Sequence, residues 1–139
     1  MPHPTVTARR FYHCVLVVVS IIFGAQDVVW PTTASGSTTC FIMFLDEATM
    51  RVNAPQTKYV AETDATWLNG WQVVQVSGMP WADPRVNTRY VKLLLPYHFP
   101  HARWCVSDCC CSHITLPLAR WCVSDGCCSH ITSHMPAGA

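Results

Sequence analysis

Thr66-Trp67-Leu68-Asn69-Gly70-Trp71-Gln72-Val73-Val74-Gln75-Val76 is the strongest local structure signal in the chain. Asn-Gly is the preferred pair for a two-residue type I′ turn, because both central residues take positive φ and the turn's twist matches that of the strands it joins. A β-hairpin is expected here, with Leu68 and Trp71 flanking the turn. The outgoing strand alternates Trp71, Val73 and Gln75 on one face with Gln72, Val74 and Val76 on the other.

Working outward, Cys40 to Leu45 (CFIMFL) is a short apolar run that suits a buried strand, stopped by Asp46 and Glu47. Glu47 to Val52 can form a helical turn, which Asn53-Ala54-Pro55 ends because a residue before proline is pushed out of the helical region. On the other side of the hairpin, Ser77-Gly78-Met79-Pro80 ends the strand and Asp83-Pro84 is a second turn signal. Arg89 to Leu95 reads as a further strand before Pro96. The fold class expected is mainly β: a small antiparallel unit of three or four strands over residues 37–98. Trp67, Trp71, Trp81 and Tyr90 are expected to be core or cross-strand packing rather than a ligand-stacking surface. A core this small supplies only about 3–5 kcal/mol and needs a staple.

The N-terminal stretch 1–36 reads as an export segment and linker. Arg9 and Arg10 precede Cys14 to Ala25, twelve uncharged and mostly apolar residues, in the layout of a signal peptide. An uncleaved anchor would have to extend from Phe11 to about Trp30, so a membrane contact is assigned to residues 11–30. The competing reading is a buried parallel-sheet strand, since Val15 to Phe23 is β-branched and apolar. Export predicts a protein that is secreted or membrane-anchored in the secretory pathway. The net charge is +1, from nine Lys and Arg against eight Asp and Glu, which argues against a nucleic-acid partner.

Residues 99–139 hold a tandem repeat of two 17-residue units. ARWCVSDCCCSHIT (102–115) and ARWCVSDGCCSHIT (119–132) differ only at Cys109 against Gly126. Seven of the nine cysteines lie here: Cys105, Cys109, Cys110, Cys111, Cys122, Cys127 and Cys128. With Cys14 removed alongside a signal, these and Cys40 make an even set of eight disulfide candidates. Adjacent cysteines rarely reach bridging geometry, so their partners lie elsewhere in the chain or in another molecule.

The same atoms offer soft donors for zinc, Cys105, Cys110, Cys111 and His113 in the first copy and Cys122, Cys127, Cys128 and His130 in the second. Their spacing matches no common zinc module, so zinc is the second expectation and no cofactor the first. Such near-identity is also what a recent duplication of coding DNA leaves, because old structural repeats diverge.

Catalytic patterns are missing. Ser107-Asp108 and Ser112-His113 are only sequence neighbours, and no HExxH, GxSxG or phosphate-loop motif is present. The expectation is therefore a disulfide-dependent, non-enzymatic binding or structural protein. Its alternatives are a thiolate and histidine metal-binding protein, or a recently arisen product with no evolved activity.

Overall fold

The computed structural model describes residues 4–32, 36–107 and 122–124. In chain order these form α1 (Pro4–Arg10), β1 (Leu16–Ile22), β2 (Thr39–Asp46), α2 (Glu47–Asn53), β3 (Lys58–Val60) and β4 (Ala65–Leu68). β5 (Trp71–Val76), α3 (Pro84–His98), β6 (Trp104–Ser107) and β7 (Cys122–Ser124) follow. The strands lie in one mixed sheet of order β3-β4-β5-β2-β1-β6-β7.

β5, β2, β1, β6 and β7 are mutually parallel, and only β3 and β4 add antiparallel pairs at one edge. This corrects the expected small antiparallel unit. The hairpin is present, but it is the margin of a larger, largely parallel sheet.

The apolar run near the N-terminus forms β1, inside that sheet, which is the buried parallel strand of the competing reading. Leu16 to Ile22 pairs along its full length with Thr39 to Leu45 of β2 on one side, and with Trp104 to Ser107 of β6 on the other. A parallel strand covered on both faces reads as an unbroken hydrophobic run, and its seven residues are too few to cross a bilayer. No helix among the described residues is long and apolar enough to cross a membrane.

Each face of the sheet has its own core. On one face Val17 and Val19, Ile42 and Phe44, Val74 and Val76, and Cys105 meet Phe11, Val91, Leu95 and Phe99. Burying each such side chain contributes about 1.5–3 kcal/mol. The rings of Phe11, Phe44 and Phe99 meet at centroid distances of 5.8 and 6.2 Å. On the other face Ile22, Met43, Leu45, Leu68 and Val73 pack with Val29, with Met50 and Trp71 at the edge.

Arg89 to Leu95 is helical, within α3, which corrects the expected third strand. Asp83 caps the helix by accepting from the Arg85 amide, and Pro84 occupies its first turn, where a missing N–H costs nothing. Asn87, Val91, Leu95 and His98 are the buried residues, spaced four, four and three apart. That is a helical stripe and not a strand's alternation. The other local expectations hold, with strand over 39–46, helix over 47–53 and the turn at Asn69 (φ 51°) and Gly70 (φ 87°).

Of the connections between parallel strands, two lead to and from the strands beside β1. α3 carries the chain from β5 to β6, over the face holding Phe44. Residues 23–38 carry it from β1 to β2, with no helix among the described ones, and Val29 of this strap packs into the second core. The two repeat copies are neighbours in the sheet: Cys105, Val106 and Ser107 pair in parallel with Cys122, Val123 and Ser124, the matching residues of the second copy.

Candidate functional site

The strand order reverses at β1. From there the chain moves outward to β2 and beyond, and later returns through α3 to place β6 on β1's other side. In open parallel sheets ligands bind outside the carboxyl ends of the strands at such a reversal, because the diverging connections leave a crevice. In this chain that end is built by Phe23-Gly24-Ala25-Gln26-Asp27 after β1, Asp46 at the end of β2, and the start of α3.

The β1 loop is held in a specific shape. Gly24 has φ 67° and Ala25 φ 52°, which turns the chain sharply as it leaves the sheet. The Gly24 amide donates to Asp46 Oδ2 at 2.7 Å, and the Ala25 amide donates to Thr49 Oγ1 at 3.0 Å. Asp46 is also the N-cap of α2, its Oδ1 accepting from the Thr49 amide at 3.0 Å and from the Thr49 hydroxyl at 2.6 Å. One carboxylate thus fixes the start of a helix and the end of the neighbouring strand.

Gly24 also faces α3. A β-carbon there would stand 2.7 Å from Pro84 Cγ, so only glycine lets the loop and helix approach this closely. The Arg85 amide beside Asp83, and then the Arg85 guanidinium, hold the Asp83 carboxyl below the usual carboxylate range. Residues 25–28 beyond the turn are exposed, and Asp27 Oδ1 accepts from the Val28 amide at 2.8 Å. On the other side of the reversal Ser107 is buried near the visible end of β6. The pinned loop leaves the side chains of Gln26 and Asp27 exposed at the carboxyl ends of the strands.

The matching sequence profile is that of the TOD1/MUCI70 glycosyltransferase-like domain, and it covers residues 6–111. The chain belongs to the TOD1/MUCI70 glycosyltransferase-like family. A probable hexosyltransferase, MUCI70, from Arabidopsis thaliana is 37% identical over 94 residues, 64% of this chain. This chain spans 16% of that relative's length. No solved structure matches. The TOD1/MUCI70 match begins in α1, takes in every element through β6, and stops inside the first repeat copy, so the second copy lies beyond it.

Family membership overturns two expectations. A non-enzymatic binding or structural protein is replaced by a chain related to glycosyltransferases, as is the alternative of a product with no evolved activity. The absence of a motif misled because the catalytic patterns sought belong to hydrolases, metalloproteases and phosphate-binding enzymes. A glycosyltransferase-like sheet need carry none of them.

The sequence-derived site residues fall as follows. Cys40 is bridged, but to Cys14, with Cα atoms 5.8 Å apart. Cys14 had been assigned to a departing signal, and its place just before β1 makes it the partner. Cys105 is buried in β6, and Cys122 pairs beside it in the backbone register of β7. Cys109, Cys110, Cys111, His113, Cys127, Cys128 and His130 lie outside the described residues.

Sequence reasoning missed Gly24, Asp46 and Thr49. The signal for Asp46 was present, an Asp directly after an apolar strand with Thr three residues on, which is a helix-cap pattern. Gly24 was concealed by being read as the end of an export segment.

Proposed function

We propose that this chain carries the donor-binding part of a hexosyltransferase, with an activated hexose, such as a nucleoside diphosphate-hexose, held at the carboxyl ends of β1 and β2. The observation that carries this reading is that the family match coincides with the parallel sheet and includes the strand reversal at β1. The loop there is exposed, and its Gly24 and Ala25 amides are held by Asp46 and Thr49, so its backbone is fixed before binding and little ordering entropy opposes it.

Gln26 and Asp27 are the side chains of the loop available to sugar or ribose hydroxyls, and the Gly24 turn brings the start of α3 beside them. Transfer itself, the acceptor and any further catalytic groups belong to the longer relative's scale and are part of the proposal. The action is assigned to the secretory pathway, with which family and bridge are both compatible, since a disulfide persists in an oxidising compartment.

The test is a titration of the 15N-labelled full chain with a panel of nucleoside diphosphate-hexoses, following backbone amide shifts. Saturable shifts centred on Gly24, Ala25 and Asp27 are expected. Titrations that move no amide, or that move only amides at the opposite end of the sheet, contradict the reading.

A further inference from the structure

At the amino-terminal ends of β1 and β2, the far end of the sheet from Gly24, three metal-ligating side chains converge. His13 Nε2 lies 3.7 Å from Cys14 Sγ and 3.7 Å from Cys40 Sγ. All three donor atoms fall within 4.8 Å of one another. The two sulfurs are joined as a disulfide, and Cys14 and Cys40 are 0% and 6% exposed, whereas the imidazole stands at the surface.

We propose that reduction of the Cys14–Cys40 bridge turns this cluster into a site for a zinc-like divalent cation, held by His13, Cys14 and Cys40. Two thiolates and one imidazole are soft and borderline donors of the kind zinc takes, with the fourth position left to solvent on the exposed His13 side. Tetrahedral zinc with its usual bond lengths sets sulfur and nitrogen donors about 3.5 Å apart and two sulfurs about 3.8 Å apart. The imidazole is already near that distance from both sulfurs, so site formation needs chiefly the separation of the two sulfurs. The strands beneath are fixed by their ladder, Val17 opposite Cys40, which keeps the Cα atoms close after the bond breaks.

The electron balance is complete. A dithiol reductant gives two electrons and two protons to the S–S bond and becomes its own disulfide, leaving Cys14 and Cys40 as thiols. Binding of the cation then expels both thiol protons. The bridge and the metal are alternative occupants of one place, so the cluster reports the redox state of its compartment.

The seven tail cysteines also carry soft sulfur donors, so the readout must be resolved by residue. The full chain is reduced with a water-soluble phosphine, which leaves as its oxide, and is then desalted. His13 is acylated with diethylpyrocarbonate with and without one equivalent of zinc chloride, and the modified peptide is quantified. Zinc is expected to slow His13 acylation in the reduced chain by roughly tenfold once free zinc is about ten times the dissociation constant of the site. It should have no effect in the oxidised chain.

As a second measurement, zinc should slow alkylation of Cys14 and Cys40 in the wild type and not in His13→Ala, a surface change that spares the fold. Equal acylation with and without zinc after reduction, equal protection in the oxidised chain, or thiol protection that survives His13→Ala overturns the proposal.

Discussion

Two crossovers close the same sheet by different means. α3 satisfies its backbone internally and buries a stripe of four residues, so it is stable wherever its apolar face finds a partner. The strap of residues 23–38 has no such ladder, and its polar groups are met by other elements. Asp46 and Thr49 take the amides of Gly24 and Ala25. At the other end Asn69 Nδ2 donates to the Val29 carbonyl at 2.9 Å, Trp71 Nε1 to the Trp30 carbonyl at 2.8 Å, and the Thr32 amide to the Asn69 carbonyl at 2.9 Å.

Gly70 is required at that hairpin tip, since a β-carbon there would meet the Thr32 carbonyl oxygen at 2.6 Å. These contacts, part-buried at Gly24, Ala25 and Val29, fix the strap at its start and at its middle without a ladder of its own. The difference puts a self-supporting element on the helical side and an exposed loop, held without being covered, on the strap side.

The largest expected effect is on the covalent closure of the strap. The Cys14–Cys40 bridge spans 26 residues, which include the whole strap. Chain-entropy reasoning gives about 3.5 kcal/mol for a loop of that length. Replacing both cysteines with serine should lower stability by about that amount in denaturant unfolding, with native proteolysis first seen in residues 23–38 and not in α3. If α3 opens first, the comparison is wrong.

A smaller effect is expected from Asp46→Ala, which removes the cap of α2 and the grip on Gly24 together. The expected cost is about 2 kcal/mol. Hydrogen exchange should speed up at Gly24, Ala25 and Thr49, while the hairpin grip on Thr32 stays intact.

The smallest belongs to α3. The carboxyl of Asp83 titrates lower in the folded chain than in the unfolded one, because the Arg85 amide and guanidinium favour its charged form. Its contribution is therefore full above the unfolded carboxylate range and is lost as pH falls through the lower folded value. Asp83→Asn should lower stability slightly at neutral pH and converge with the wild type once pH falls below the folded value, so the acid limb of its stability–pH curve is slightly flatter. An equal slope in both proteins would show that the cap carries no charge dependence.

The legible part of the fold is the part governed by local chemistry. Asn69-Gly70 demands a particular turn, and Asp46-Glu47 ends a strand and starts a helix, so both could be read from neighbouring residues alone. β1 was not legible in this way. A hydrophobic run beside two arginines fits export and a buried parallel strand equally well, and the strand shows only in its pairing with β2 and β6.

α3 was misread because Asp83-Pro84 is both a turn signal and a helix start, and the buried spacing of Asn87, Val91 and Leu95 was masked by the apolar cluster Leu93-Leu94-Leu95. The candidate site was the least legible, since Gly24, Asp46 and Thr49 come from three elements that only the sheet brings together. The tail stands out by composition, while the loop at the strand reversal is built from residues of ordinary type.

The central claim is that residues 16–22 form an inner strand of a glycosyltransferase-like sheet. Amide hydrogen exchange on the full chain, resolved by peptide, tests it most directly. Amides of Val17 to Val19 should exchange as slowly as those of Ile42 to Leu45 in β2, because both stretches are paired on both sides, and those of Ser20 to Ile22, paired with β2, should be protected too. Exchange of 17–22 at the rate of an open chain, with 42–45 still protected, would contradict the account.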